Sequence, residues 1–268
     1  MRNIRLTLAY DGTHYVGWQV QPNGTSVQEV VEGAIQKLTG EAPKLLAAGR
    51  TDSGVHALGQ VANFTTDCTI PVEKLRPGLQ TFLPDDVVVR EVAEVDPAFH
   101  ATYSAKGKRY RYVILNRRVR DPFVRNYAWM VPQPLDPLAM HEAGQVLLGT
   151  HDFRCFESQF PNKATSVRTV REVTVGRHAG WPVWSQSQSL LENPATEEPF
   201  LWIDVVADGF LYNMVRAIVG TLVKVGQHRW TADNVRSIVE SQDRSQAGET
   251  VPPNGLYLVN VDYDGTGA

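Results

Sequence analysis

Cysteine is scarce. Cys68 and Cys155 are the two among 268 residues, far apart and in no CxxC or Cys/His spacing, so neither a disulfide framework nor a zinc site is supported. They read as two buried thiols in a reducing compartment. Long apolar runs are also missing, and the N-terminal stretch MRNIRLTLAYDG carries charge from its second residue, which argues against a signal peptide or membrane anchor. A cytoplasmic protein with no membrane partner is expected. No P-loop, GxGxxG, Ser/His/Asp set or paired-carboxylate motif stands at a convincing position, so phosphoryl transfer and dinucleotide chemistry fit poorly. What is present is ample apolar material, 43% hydrophobic, enough to bury the core of one large domain or two of ordinary size.

The formal net charge of -3 is unevenly spread. Residues 101 to 130 hold Lys106, Lys108, Arg109, Arg111, Arg117, Arg118, Arg120 and Arg125 against Asp121 alone, a local balance of +7 that leaves -10 elsewhere. A solvated basic face would account for the charge by itself. Tyrosines interleave with it, however, and that composition suits phosphate contacts and base stacking on a polyanion.

Alternation of Ile4, Leu6, Leu8 and Tyr10 predicts a strand over Arg2 to Tyr10. Ser26 and Glu29 have capping-box spacing ahead of the stripe Val27, Val30, Val31, Ala34, Ile35 and Leu38, which Gly40 ends. Strands follow at Gln60 to Thr65 and Val87 to Val95, with a short helix over Pro71 to Leu83 between them, limited by Pro77 and Pro84. The second half repeats the vocabulary: strands at Lys108 to Leu115, Arg168 to Val175, Leu201 to Val206 and Leu256 to Val261, a helix starting from Asp208-Gly209, and another over Thr231 to Glu240. Gly176 to Glu198, rich in Gln, Ser, Glu and Pro, reads as an exposed loop or hairpin between strands. The expected class is α+β, two similar α/β-sandwich halves with mixed or antiparallel sheets about a basic cleft, divided as 1–105 and 106–268.

The stretch GRTDSGVHA (49 to 57) joins two short apolar runs as a loop. In extended backbone Arg50 and Asp52 share a side while Thr51 points away, and a guanidinium beside the carboxylate keeps it ionised and available as nucleophile or base. An isolated Arg-Asp pair usually just closes a turn; Gly49 and Gly54, by removing side chains where another backbone must approach, favour the functional reading. His14 and His56 suit backbone hydrogen bonding or loop packing better than general-base work. In KGKRYRYVI, Lys108, Tyr110 and Tyr112 alternate with Arg109 and Arg111. Tyr110 is either an amphipathic core residue or one that stacks on a base at the rim of a carboxylate site. Arg216, amid the apolar helix of GFLYNMVRAIVG, needs an anion partner, for which Asp52 is the economical candidate.

Together YDGTHYVGWQVQ (10 to 21), GRTDSGVHA, KRYRYVI (108 to 114), GTHDF (149 to 153), GFLYNMVRAIVG (209 to 220) and GLYLV (255 to 259) resemble the tRNA pseudouridine synthase A family, in its order and over nearly the whole chain. The resemblance implies the pseudouridine synthase fold. It also implies a cofactor-independent, homodimeric isomerase converting uridine to pseudouridine at positions 38, 39 and 40 of the tRNA anticodon arm. It makes Asp52 the essential carboxylate, Arg50 the residue that helps open the stem and fill the flipped base's place, Tyr110 the active-site tyrosine, Arg216 the aspartate-pairing arginine and Leu256 the residue packing near the target base. Lys108 and Arg111 are expected to bind the RNA. Two features depart from the family pattern: Thr102 stands where arginine is common, and the 176–198 segment is longer.

Moving uracil from an N- to a C-glycosidic link needs an extruded base, a carboxylate at the sugar-base junction, and a hold on the detached ring. Asp52 could add to uracil C6, attack ribose C1′ or remove a ribose proton. Two other classes compete: a non-catalytic RNA-binding module, supported by the basic segment, and an N-glycoside hydrolase, disfavoured because the loop lacks a second carboxylate.

Overall fold

A computed structural model describes residues 1–158, 165–178 and 198–264. The fold is α+β and divides into two compact units: Met1–Lys108 with Tyr257–Ala268, and Arg109–Leu256. The last strand therefore belongs with the first unit, not the second half as expected, and the boundary falls three residues beyond 105.

In the first unit, β1 (Arg2–Tyr10), β3 (His56–Thr66), β4 (Val87–Val95) and β10 (Leu256–Asp262) lie in the order β4-β1-β3-β10, with the two-residue β2 (Leu46–Ala47) also on β3. The pairing is mixed: β1 runs antiparallel to both neighbours, and β10 is parallel to β3 through Tyr257↔His56. Ile4, Leu6 and Leu8 are fully buried, as period-two alternation requires of one covered face. α1 (Val27–Thr39) begins where Ser26 Oγ accepts the Glu29 N–H at 3.2 Å and ends at left-handed Gly40. It buries Val27, Val31, Ala34 and Ile35, each contributing about 1.5–3 kcal/mol for the larger side chains. α2 (Val72–Gln80) falls within the expected 71–83 span, and Pro77 lies inside it without ending it. One missing N–H costs a single ladder bond, and the buried Leu75 and Leu79 on either side hold the helix through it.

In the second unit, β5 (Gly107–Leu115), β7 (Gly149–Asp152), β8 (Val167–His178) and β9 (Phe200–Ala207) lie in the order β5-β9-β8-β7, with β6 (Trp129–Met130) parallel on β5. β8 is antiparallel to β7 and β9. Most of the 176–198 segment lies outside the described residues; Gly176–His178 continue β8. Three helices complete the unit: α3 (Pro137–Gly144), α4 (Met214–Gly226) and α5 (Ala232–Ser241). α4 starts later than Asp208-Gly209 because Asp208 is committed to β8, its carboxylate accepting the Thr169 N–H at 3.0 Å and its own N–H bonding Thr169 O at 3.1 Å. The chain then turns through Asn213 at φ 63°. α4 is buried nearly all round, and Gly220 admits the Glu249 carbonyl so closely that a Cβ would overlap it. Among the described residues no helix is long and apolar enough to cross a membrane.

Candidate active site

The loop carrying Arg50 and Asp52 leaves β2 and enters β3, and buried groups of the first unit clamp it. Thr51 is buried, Asp52 half-buried and Arg50 exposed. Thr51 Oγ1 meets Tyr10 Oη at 2.8 Å, and its carbonyl accepts the Trp18 N–H at 3.0 Å. Gln60, fully buried in β3, donates to the Gly49 carbonyl at 2.8 Å and to Tyr10 Oη at 3.5 Å. Gly17, at φ 111°, lies so near this backbone that a Cβ would stand 2.7 Å from Thr51 O. The Val55 N–H bonds Asp52 O at 3.1 Å and closes the turn over Gly54 at φ 75°. Burial pushes the Tyr10 hydroxyl up to about 12, so the clamp is neutral and keeps its hydrogen bonds across physiological pH. The result is a carboxylate on a backbone fixed from below, which is what a reacting group needs.

This clamp was not anticipated from the sequence; Gln60, a polar residue within the largely buried β3, was its available signal. Replacing Gln60 with leucine leaves the Gly49 carbonyl without its buried donor. A stability loss of about 1–3 kcal/mol is expected, together with reduced turnover, checked by thermal melting and single-turnover assay of the same preparation.

His56 is buried, its Nδ1 3.0 Å from the Gly12 N–H it accepts and 3.1 Å from Asp11 Oδ1, and its ring stacks on Tyr257 with centroids 4.8 Å apart. Packing and hydrogen bonding account for it, while His14 is exposed. Thr102, at the position of the expected arginine, donates its hydroxyl to the Ala47 carbonyl at 2.6 Å and ties the 96–106 segment to β2.

The second unit positions the remaining residues. Tyr110 on β5 is 8% exposed and meets Phe210 edge-on at 5.0 Å. Arg216, in the first turn of α4, is half-buried; its Nε donates to Val251 O at 2.6 Å and its Nη1 to Asn213 Oδ1 at 2.7 Å. The left-handed Asn213 also donates to Ser158 Oγ at 2.7 Å, so an unusual backbone conformation aims the arginine's anchor. Leu256 is buried at the end of the 253–255 turn, and Tyr112 braces that turn by donating to Pro252 O at 2.7 Å.

The basic segment proves to be of two kinds. Lys108 lies along the loop: a Cβ on Gly49 would stand 3.6 Å from its Cε and Nζ. Arg111 departs from its expected RNA-binding place. It is 2% exposed, bidentate on the fully buried Asp204 at 2.7 and 2.8 Å, with its guanidinium 4.7 Å from the Trp202 ring centre. Arg109 also bonds Asp204, at 3.1 Å, and grips Glu172 through two bonds of 2.9 Å, which hold the Glu172 carboxyl below its usual range. The Arg111 guanidinium, 2% exposed, has no surface to offer a phosphate. Lys106, Arg118, Arg120 and Arg125 are exposed. Cys155 is fully buried, and burial pushes its thiol up to about 12; Cys68 is half-buried, less enclosed than expected, and both are free.

The family model described as tRNA pseudouridine synthase matches residues 7–104 and 143–264 of this chain. The chain belongs to the tRNA pseudouridine synthase family. Curated relatives agree along its length. A tRNA pseudouridine synthase A of Thermoanaerobacter sp. is 47% identical over 263 residues, covering 98% of this chain and 100% of that protein. The protein of the same name in Acetivibrio thermocellus is 46% identical over 263 residues, with the same coverage, and that of Moorella thermoacetica 44% over 262 residues, covering 97% and 99%. In this synthase family member, the clamped Asp52 loop lies in the first matched block and Arg216 and Leu256 in the second. Tyr110 falls between the blocks.

Proposed function

We propose that this chain is an isomerase that converts uridine to pseudouridine in tRNA, acting on the anticodon stem-loop at positions 38, 39 and 40 with Asp52 as the essential carboxylate and without a cofactor. The family membership supports the reaction and the substrate. The observation that carries Asp52 is the clamp: a half-buried carboxylate two residues from an exposed arginine in the chain, on a loop whose backbone is fixed by Tyr10, Thr51, Gln60 and Gly17. In the reaction the N1–C1′ bond breaks, the ring turns, C5 bonds to C1′, and the C5 proton is lost as N1 gains one. Atoms balance without oxidant or reductant. Arg50, exposed at the loop, is assigned to opening the stem and filling the vacated place, Lys108 to a phosphate, and Tyr110, Arg216 and Leu256 to the same reaction. A homodimer in the cytoplasm is part of this reading, and sedimentation of the purified protein checks the oligomeric state.

Uridine tritiated at C5 tests the reaction. Isomerisation releases tritium to water and leaves the base attached to RNA, whereas a glycoside hydrolase releases labelled uracil and a binding module releases neither. For Arg216, charge alone is not enough, because its Nε and Nη1 are both committed. Arg216→Lys keeps the charge but not the fork, and single-turnover rates are expected to fall about 10- to 100-fold with tRNA affinity little changed. Weakened tRNA binding with an unaltered rate would assign Arg216 to the RNA backbone.

A further inference from the structure

Beyond β5 the chain makes a turn that no step of the proposed reaction uses. Val119 and Phe123 are 73% and 85% exposed, and Arg118, Arg120 and Arg125, on the same turn, are exposed as well. The turn is braced from within. Arg117 donates to Val119 O at 2.8 Å and pairs with Asp121 at 3.0 Å; Asp121 in turn accepts the Phe123 N–H at 3.0 Å. Arg125 donates to Pro122 O at 2.6 Å, and Asn254 ties the Arg125 carbonyl to the same unit at 2.8 Å. Asp121, the one acidic residue of the turn, is thereby matched by Arg117, leaving the charge of the other three arginines uncompensated within it.

We propose that this turn is an accessory RNA contact in which an unpaired nucleobase stacks on Phe123 while Arg118, Arg120 and Arg125 engage flanking phosphates. A single exposed apolar side chain is ordinary. A phenylalanine raised on a braced turn, with three exposed arginines within five residues of it in the chain, has the composition of a base-stacking platform, since every base offers a π-face and every linkage a negative charge. Charge argues against a second copy of the chain seated here about a two-fold axis, because the same three arginines would then oppose themselves. The inference rests on the proposed RNA substrate and adds to it a contact outside the reacting residues.

The test uses the full chain and two RNAs, an anticodon stem-loop with unpaired bases and a fully paired duplex. Phe123→Ala is expected to weaken stem-loop binding about 5- to 100-fold, with duplex binding little changed and the rate on saturating stem-loop unaltered. Phe123→Trp should restore affinity and show tryptophan quenching on binding. Replacing Arg118, Arg120 and Arg125 with glutamine should lower the slope of log K against log salt by roughly 2. At 85% exposure, residue 123 can be changed without touching the core. Equal stem-loop affinity for the alanine variant and parent overturns the proposal, as does a loss of self-association in sedimentation that accounts for the effect, or a parent that binds no RNA. A parent that binds and discriminates at residue 123 yet makes no pseudouridine would instead defeat the proposed reaction and leave this contact standing.

Discussion

Asp52→Asn is expected to abolish turnover while leaving fold and tRNA binding nearly intact. Asparagine keeps the size and hydrogen-bonding capacity of the residue and removes its charge. The backbone around it is held by Tyr10, Gln60 and Gly17, none of which contacts the substituted atoms through the clamp bonds described, so the loop should keep its course. If the carboxylate is the group that attacks or deprotonates the nucleoside, single-turnover rates should fall by roughly four orders of magnitude, about 5.5 kcal/mol of transition-state stabilisation. A turn-closing Arg-Asp pair would behave otherwise, with a loss near 1 kcal/mol in melting and most of the turnover retained. Melting, filter binding and rate measured on one preparation separate the two.

The largest structural effect is expected at Arg111. Arg111→Met keeps an apolar stem but leaves the fully buried Asp204 without its bidentate partner, at a cost of about 3–5 kcal/mol. Arg109, 3.1 Å from the same carboxylate, should hold the loss toward the lower end. The melting midpoint would fall by roughly 2–4 °C for each kcal/mol. Replacing both partners, Arg111→Met with Asp204→Leu, should regain much of the difference, because the uncompensated charge goes with it. A normal melt accompanied by weakened tRNA binding would return Arg111 to the RNA-contacting set.

These two residues show which parts of the molecule the sequence exposes. β1 and α1 were legible because their signals are local: strict alternation from Ile4 to Tyr10, and a stripe bounded by Ser26 and Gly40. Alternation also placed Arg109 and Arg111 on one side of β5, but it says nothing of what covers that side. Asp204 and Glu172 arrive from β9 and β8, some 60 to 95 residues away in the chain, and this pairing decides that Arg111 is interior and Arg109 half-buried. The start of α4 was misplaced because Asp208 resembles a cap while serving β8. α3 was missed among the prolines of 132–137, although Asp136 and Pro137 carry a cap signal, with Asp136 Oδ1 accepting the Leu138 and Ala139 N–H groups at 3.0 and 3.1 Å. The return of β10 to the first unit is a long-range pairing with no local mark. At the candidate site, glycine spacing and the RTD triplet were visible, whereas the clamp of Tyr10 and Gln60 depends on strands brought together only by folding.

Carbodiimide mapping of tRNA incubated with the purified parent protein and with Asp52→Asn, side by side, tests the central claim most directly. Pseudouridine in the anticodon arm with the parent, no modified uridine with the asparagine variant, and no free uracil with either is the predicted result. Unmodified tRNA with the parent, or substantial pseudouridine formed by the asparagine variant, would contradict it.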